Sequence, residues 1–211
     1  MRIAETSEWL VINKPAGWLT IAGRGLPDSV PVLIDWVRKT HPRAMVVHRL
    51  DRETSGVILF ALSESAHQKA NAWFRDRVTK KVYLCLASGS PSAPILKIKS
   101  PIEGAPSTTQ VEVKERFEEG FYASVRPLTG RRHQIRIHLA ENGHPLWGDT
   151  RYKGASEIKF ENSVLHPTLA VNRVALHANT LELPSGERFE APLPEDMTSW
   201  LAVLRKEGRR A

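Results

Sequence analysis

No uninterrupted apolar run in the chain exceeds six residues, the length of the aliphatic and aromatic run over residues 57–62, against the roughly 20 that a membrane-crossing helix requires. Apolar surface must therefore be buried in short elements, and this run, bounded by Gly56 and Ser63, reads as a strand inside a core. The 211 residues suffice for one full-sized domain or two small ones, and folding at this size hides roughly 70% of the extended chain's surface. Such a core needs no disulfide, and the single cysteine, Cys85, has no partner within the chain. The opening Met1-Arg2-Ile3-Ala4-Glu5 lacks the apolar stretch of a secretory signal, so a reducing, cytoplasmic setting is expected.

Trp9-Leu10-Val11-Ile12 reads as a strand ended by a turn at Lys14-Pro15-Ala16-Gly17. After Pro31, residues Val32, Leu33, Trp36 and Val37 share one helical face. Ser65, with Gln68 three residues on, marks the start of a second helix carrying Ala66, Ala70, Trp73 and Phe74. Residues 80–87 alternate, Val82, Leu84 and Leu86 against Tyr83 and Cys85, so Tyr83 is expected to look away from an aliphatic core. Residues 109–116 and 121–127 form one expected hairpin, and residues 175–183 and 188–191 another. Residues 132–142 fit strand and helix alike, and Gly143 as a C-terminal cap favours the helix. Met197, Trp200, Leu201 and Leu204 predict a closing amphipathic helix. Strand-rich stretches joined by hairpins and interrupted by a few helices read as α+β, with residues 1–211 as a single domain.

Thirty Lys and Arg against 23 Asp and Glu leave a net charge of +7. Residues 126–153 carry +4, residues 75–81 carry +3 and residues 205–210 carry +3, so the remainder is net −3 and the positive field is concentrated. A polyanionic partner suits that distribution. In the loop before the buried strand, His48-Arg49-Leu50-Asp51-Arg52-Glu53-Thr54-Ser55-Gly56 sets a carboxylate between two arginines, an arrangement that favours the charged form a nucleophile or base requires. Taken alone, Asp51 reads as a turn or capping residue. A second cluster, Thr129-Gly130-Arg131-Arg132-His133-Gln134-Ile135-Arg136-Ile137-His138, collects guanidiniums, imidazoles and an amide at a helix start, where backbone N–H groups favour phosphate. His133, His138 and His144 lack the spacing of a helical zinc site, and no phosphate-loop or dinucleotide glycine pattern is present. Neither a metal nor a nucleotide cofactor is expected.

These stretches resemble, in the same order, those of the RluA-type RNA pseudouridine synthases. The matching blocks are Asn13-Lys14-Pro15-Ala16-Gly17, the whole of residues 48–56, Lys81-Val82-Tyr83, residues 130–138 with Gly143-His144-Pro145-Leu146-Trp147-Gly148-Asp149, and Glu190-Ala191-Pro192-Leu193-Pro194. The resemblance implies a mixed, mainly antiparallel β-sheet with flanking helices and a central RNA-binding cleft, working as a monomer on ribosomal or transfer RNA without cofactor, metal or membrane. It implies an enzyme that detaches uracil from its ribose, turns it and rejoins it through carbon. Residue by residue, Asp51 is the essential carboxylate, attacking the sugar or removing a ribose proton. Arg136 forms the ion pair that holds Asp51 charged and oriented. Tyr83 stacks on the target base and helps in removing the C5 proton, and Ile135 packs on the base from the other side. Arg49 fills the space the uridine has left or binds phosphate there, and Arg52, Lys81, Arg131, Arg132 and His133 complete the RNA-binding set.

Two positions depart from the family pattern, Arg132 in place of threonine and Trp147 in place of leucine. Both leave the catalytic set intact and bear on RNA contacts. The chain begins almost at once with catalytic-domain sequence, so the small N-terminal RNA-binding domain of many relatives is not expected. The competing expectation is a binding module, an RNA chaperone on the same fold without chemistry, against which Asp51, Tyr83 and Arg136 argue.

Overall fold

The computed structural model describes residues 1–23, 29–160 and 168–207. In chain order its elements are β1 (Arg2–Glu5), β2 (Trp9–Lys14), α1 (Leu33–Arg38), β3 (Met45–Val46), β4 (Ser55–Ala61), α2 (Glu64–Arg75), β5 (Lys80–Ser88), β6 (Ile95–Lys99), β7 (Thr108–Arg116), β8 (Gly120–Pro127), α3 (Gln134–Glu141), β9 (Glu157–Lys159), β10 (Thr168–Ala170), β11 (Leu176–Glu182), β12 (Arg188–Glu190) and α4 (Glu195–Glu207). They fall into two compact units, Met1–Lys81 with Ala178–Pro192, and Val82–His177 with Leu193–Ala211. No helix among the described residues is long and apolar enough to cross a membrane. Of the basic tail, residues 208–210 lie outside the described residues.

In the first unit β2 pairs antiparallel with β1 and with β4, Trp9 facing Ala61 and Lys14 facing Gly56 across the ladder. Every residue of β4 is buried, as its uninterrupted apolar sequence requires. Two residues of β3 pair with its end, and β11 and β12 form the hairpin expected around Gly186. Trp9, Val11, Val57, Leu59, Leu181 and Phe189 make the core, against which Ala66 and Ala70 of α2 are buried. The N-cap of α2 is Ser63, not Ser65. Ser63, in extended backbone, accepts the Ala66 N–H at 3.2 Å, and the Ser65 hydroxyl lies 3.0 Å from that of Ser63. The earlier serine wins because it stands outside the helix, where its oxygen can reach back to an amide of the first turn. The buried face of α1 also differs from expectation: it carries Leu33, Ile34 and Val37, while Trp36 is 37% exposed and meets Trp18 edge to face. Val32 is an extended N-cap residue, so a face counted from it is rotated.

The second unit orders its strands β5-β8-β7-β6, all antiparallel, with the β7–β8 hairpin where the sequence placed it. Cys85 and Ala87 on one face of β5 pack with Val125, Ile135 and Leu139, the last two from α3. Leu86 on the other face packs with Trp147 and with Met197 and Leu201 of α4. Both faces are therefore covered, and Tyr83 turns toward the Cys85 cluster rather than away from the core. Alternation could not show this, because a strand covered on both sides is apolar on both. Burial pushes the Cys85 thiol up to about 12, so Cys85 is a packing residue. The architecture is α+β with mainly antiparallel sheet, as read from the sequence.

Gly56 marks where β4 must tolerate close backbone. Its φ is +115°, and a Cβ there would stand 2.1 Å from the Ala178 carbonyl oxygen. Strain and overlap add, so Gly56→Ala should lower stability by about 3 kcal/mol or more in urea unfolding. An unchanged midpoint would refute the close approach.

Candidate active site

Asp51 lies half-buried in a turn closed by the Thr54 N–H on the Asp51 carbonyl at 3.1 Å. The peptides on both sides of it are held by the segment that follows β2. Before it, the Thr20 hydroxyl oxygen accepts the Leu50 N–H and donates to the Leu50 carbonyl, both at 3.2 Å. After it, the Arg52 carbonyl accepts the Gly17 N–H at 2.9 Å and the Lys14 ammonium at 3.0 Å. Lys14 is completely buried and donates also to the Pro15 and Trp18 carbonyls at 2.9 and 2.8 Å. Three carbonyl dipoles around one ammonium replace the water it has lost. Gly17, at φ +82°, makes the turn that brings those carbonyls together. Arg49 and Arg52 are exposed, and Arg52 donates through Nε to Glu53 at 2.9 Å.

His48 explains how the chain leaves the sheet before this turn. The β3–β4 ladder ends with Val46 opposite Phe60, and the next N–H, that of Leu59, is accepted at 3.1 Å by His48 Nε2. The imidazole thus takes over from a backbone carbonyl, freeing the chain to turn toward Asp51. The ring stacks on Phe74 at 4.6 Å. Accepting through Nε2 requires that nitrogen to be unprotonated, and burial, with Lys81 nearby, lowers the His48 pKa from 6.5 to about 3. Lys81 is half-buried with its ammonium 5.9 Å from the Phe74 ring, and burial followed by Arg77 lowers its pKa.

In the second unit, the start of α3 is built around the amide of Gln134. Its oxygen accepts from the Thr129 hydroxyl (2.6 Å) and the Arg131 N–H (3.1 Å), and its nitrogen donates to the Thr108 carbonyl (2.9 Å) and the Thr109 hydroxyl (3.0 Å). All four hydrogen-bonding positions of the amide are used, which fixes its orientation. The chain of bonds continues: Nε2 of His138 meets the Ser100 carbonyl at 3.1 Å, so it carries the proton, and Nδ1 accepts from Thr109 at 2.8 Å. His133 precedes α3 in left-handed backbone at φ +54°, while Arg131 and Arg132 are exposed. Ile135 is buried in the hydrophobic cluster against which Tyr83 is packed. Arg136, also buried, donates from Nε and Nη2 to the two carboxylate oxygens of Asp149, at 2.6 and 2.8 Å.

Asp51, Arg49, Arg52 and Lys81 thus belong to the first unit, and Tyr83, Arg131, Arg132, His133, Ile135 and Arg136 to the second. Lys14, His48 and Asp149 stand inside the sequence blocks without a role read for them there, and the amide of Gln134, expected at a phosphate-favouring helix start, is bonded within the protein. Thr20 and Tyr152 were missed, since neither stands in any block. Among the described residues no group of three or more His, Cys, Asp or Glu could hold a metal ion.

Residues 8–141 match the family model described as RNA pseudouridylate synthase. The chain is 36% identical to ribosomal large subunit pseudouridine synthase C of Escherichia coli strain K12, over 95% of this chain and 69% of that protein. It is 37% identical to the protein of the same name from Yersinia pestis, over 93% of this chain and 67% of that one. Its fold is similar to that of human RNA pseudouridylate synthase domain containing 4, with a TM-score of 0.75 and 24% identity over 97% of this chain and 92% of that chain.

The His48 bond makes stability depend on acid. The folded pKa lies below the unfolded one, so the contribution is complete above pH 6.5 and is lost as pH falls toward about 3. The loss should approach about 1.4 kcal/mol per pH unit within that window. Thermal unfolding from pH 7 to 4 should show this slope in the wild type and a shallower one in His48→Gln; equal slopes would refute the assignment.

Proposed function

Because the chain belongs to the RNA pseudouridylate synthase family, we propose that residues 1–211 act as one catalytic domain in which Asp51 is the essential carboxylate and Arg136, Tyr83 and Ile135 complete the site in an RNA-binding cleft. The protein is an RNA pseudouridine synthase, an isomerase. Its reaction breaks the bond between N1 and C1′ of a uridine and joins C5 to C1′ instead. C5 gives up its proton and N1 gains one, so the length and mass of the RNA stay the same.

The observation that carries the role of Asp51 is the clamp on its turn, Thr20 on the Leu50 peptide and Lys14 and Gly17 on the Arg52 carbonyl. A carboxylate that must meet C1′ or a ribose proton at fixed distance gains from a backbone unable to shift, since misplacement by about 1 Å can cost 100-fold in rate. Arg136 is the guanidinium assigned to hold it charged and oriented. Extruding the uridine costs a few kcal/mol, and stacking on an aromatic face returns about 1–3 kcal/mol. Tyr83, half-buried against the cluster that holds Ile135, supports that use. Exposed Arg49, Arg131 and Arg132 suit phosphate, and Arg52, Lys81 and His133 complete the RNA-binding set. The two curated relatives are named for the large ribosomal subunit. We assign this chain to ribosomal RNA, met in the cytoplasm by a monomeric enzyme without cofactor.

Asp51→Asn should abolish pseudouridine formation on transcribed large-subunit RNA while RNA affinity stays within about threefold; product at the wild-type level would refute the assignment. Affinity should also fall with salt, each phosphate contact adding roughly 0.7–0.9 to the slope of log affinity against log salt. A flat salt dependence would reject the basic contacts.

A further inference from the structure

We propose that Asp149 and Tyr152 are positioning residues that aim the guanidinium of Arg136, and that His133 locks Tyr152 in place. The proposal rests on the reading of Arg136 as the partner of the catalytic carboxylate. A guanidinium is planar and rigid, so holding one edge in a bidentate pair and packing a ring against it fixes the direction of every other N–H it carries. Asp149, 1% exposed, takes the edge formed by Nε and Nη2 in a bidentate pair at 2.6 and 2.8 Å. The guanidinium also lies over the Tyr152 ring, with the Arg136 Cζ 5.1 Å from the ring centroid. The N–H groups not committed to Asp149 are then aimed without further choice.

The local backbone explains why these two residues act together. Thr150–Tyr152 form a 3-10 turn with Asp149 as the residue before it, so the two residues are joined by the turn's own backbone. The turn is tightly closed. The Asp149 carbonyl accepts the N–H groups of Tyr152 and Gly154 at 3.0 and 2.8 Å. A Cβ at Gly154 would lie 1.9 Å from the Leu146 carbonyl oxygen, and one at Gly148 as close to that of Arg173. Asp149 therefore cannot drift. The Tyr152 hydroxyl is held in turn by Nδ1 of His133 at 2.8 Å, and His133 adopts φ +54°, a conformation that costs about 1–2 kcal/mol in a residue with a side chain. A buried ion pair that served stability alone would need neither the ring over which the guanidinium lies nor that backbone strain.

The test is pseudouridine formation by the full chain on large-subunit RNA, with kcat and KM measured separately for Asp149→Asn, Tyr152→Leu, Arg136→Lys and the double variant Asp149→Asn with Arg136→Lys. Arg136→Lys keeps the charge and loses the bidentate edge. Asp149→Asn should lower kcat by about 100-fold with KM within about threefold. In the Arg136→Lys background it should cost less than about threefold more, because the geometry it supports is already gone. Tyr152→Leu, which leaves Asp149 in place should Asp149→Asn fail to fold, should lower kcat at least about tenfold. A wild-type kcat in either single variant, or an equal loss with Arg136 present and replaced, would overturn the positioning role. If Arg136→Lys and Arg136→Met both retain wild-type kcat, the reading of Arg136 falls and the proposal with it; a large Arg136 effect beside an inert Asp149 sinks only the proposal.

Discussion

A cation removed from water must be ringed by oxygen, and two buried cations obeying that rule shape the turn that holds Asp51 and the start of α3. Lys14 gathers the carbonyls of Pro15, Trp18 and Arg52 about one ammonium. Arg136 is closed on one edge by Asp149. In neither case is net stability the obvious return, since a buried charge recovers from its partners little more than the hydration it gave up. What the arrangement supplies is geometry. Removing a partner would strand a charge in low dielectric at a cost of about 3–5 kcal/mol, so alternative placements of the Asp51 turn and of the Arg136 side chain are strongly disfavoured.

Much of the fold was legible because it follows from residue types acting locally. The run over residues 57–62 had to be a covered strand, and Gly143 had to stand just beyond α3. The errors have two causes. Trp36 and Tyr83 were placed by periodicity, which reports which residues share a face without saying what lies opposite it, and Ser65 by the spacing to Gln68, which does not report the backbone conformation a cap needs. Ser63 displaced Ser65 because a cap is chosen by backbone conformation just outside the helix, and Tyr83 turned inward because α3 supplies a second cover for β5.

The site was legible to a different depth. Its blocks announced the family, yet the roles of Lys14, His48 and Gln134 depend on partners brought close by folding: Lys14 and Arg52 are 38 residues apart, and Gln134 and Thr108 are 26 apart. No spacing rule covers such distances. Each of these side chains substitutes for something the backbone fails to provide where the chain leaves regular structure, a carbonyl beside β4 in the case of His48 and donors for turn carbonyls in the case of Lys14. Polar residues within a block of motif sequence are therefore as much scaffold as chemistry, and only their hydrogen bonds tell the two apart.

The same distinction applies to the positive charge. The basic segments at residues 75–81 and 205–210 look alike in sequence to the one at residues 126–153, but their described residues are engaged differently. Arg75 pairs with Asp76, Lys80 with Glu182 and Arg205 with Glu115, and Lys81 lies against Phe74. In the third segment Arg136 is buried on Asp149, while Arg126, Arg131, Arg132, Arg151 and Lys153 are exposed. Exposed ion pairs are weak, about 0–1 kcal/mol each, so a polyanion can compete for their cations. Yet each such pair also brings a carboxylate that repels phosphate, and the local field is correspondingly lower. The proposed RNA contacts therefore concentrate on the segment around α3, where the departure at Arg132 adds a guanidinium to the very surface on which the reading depends.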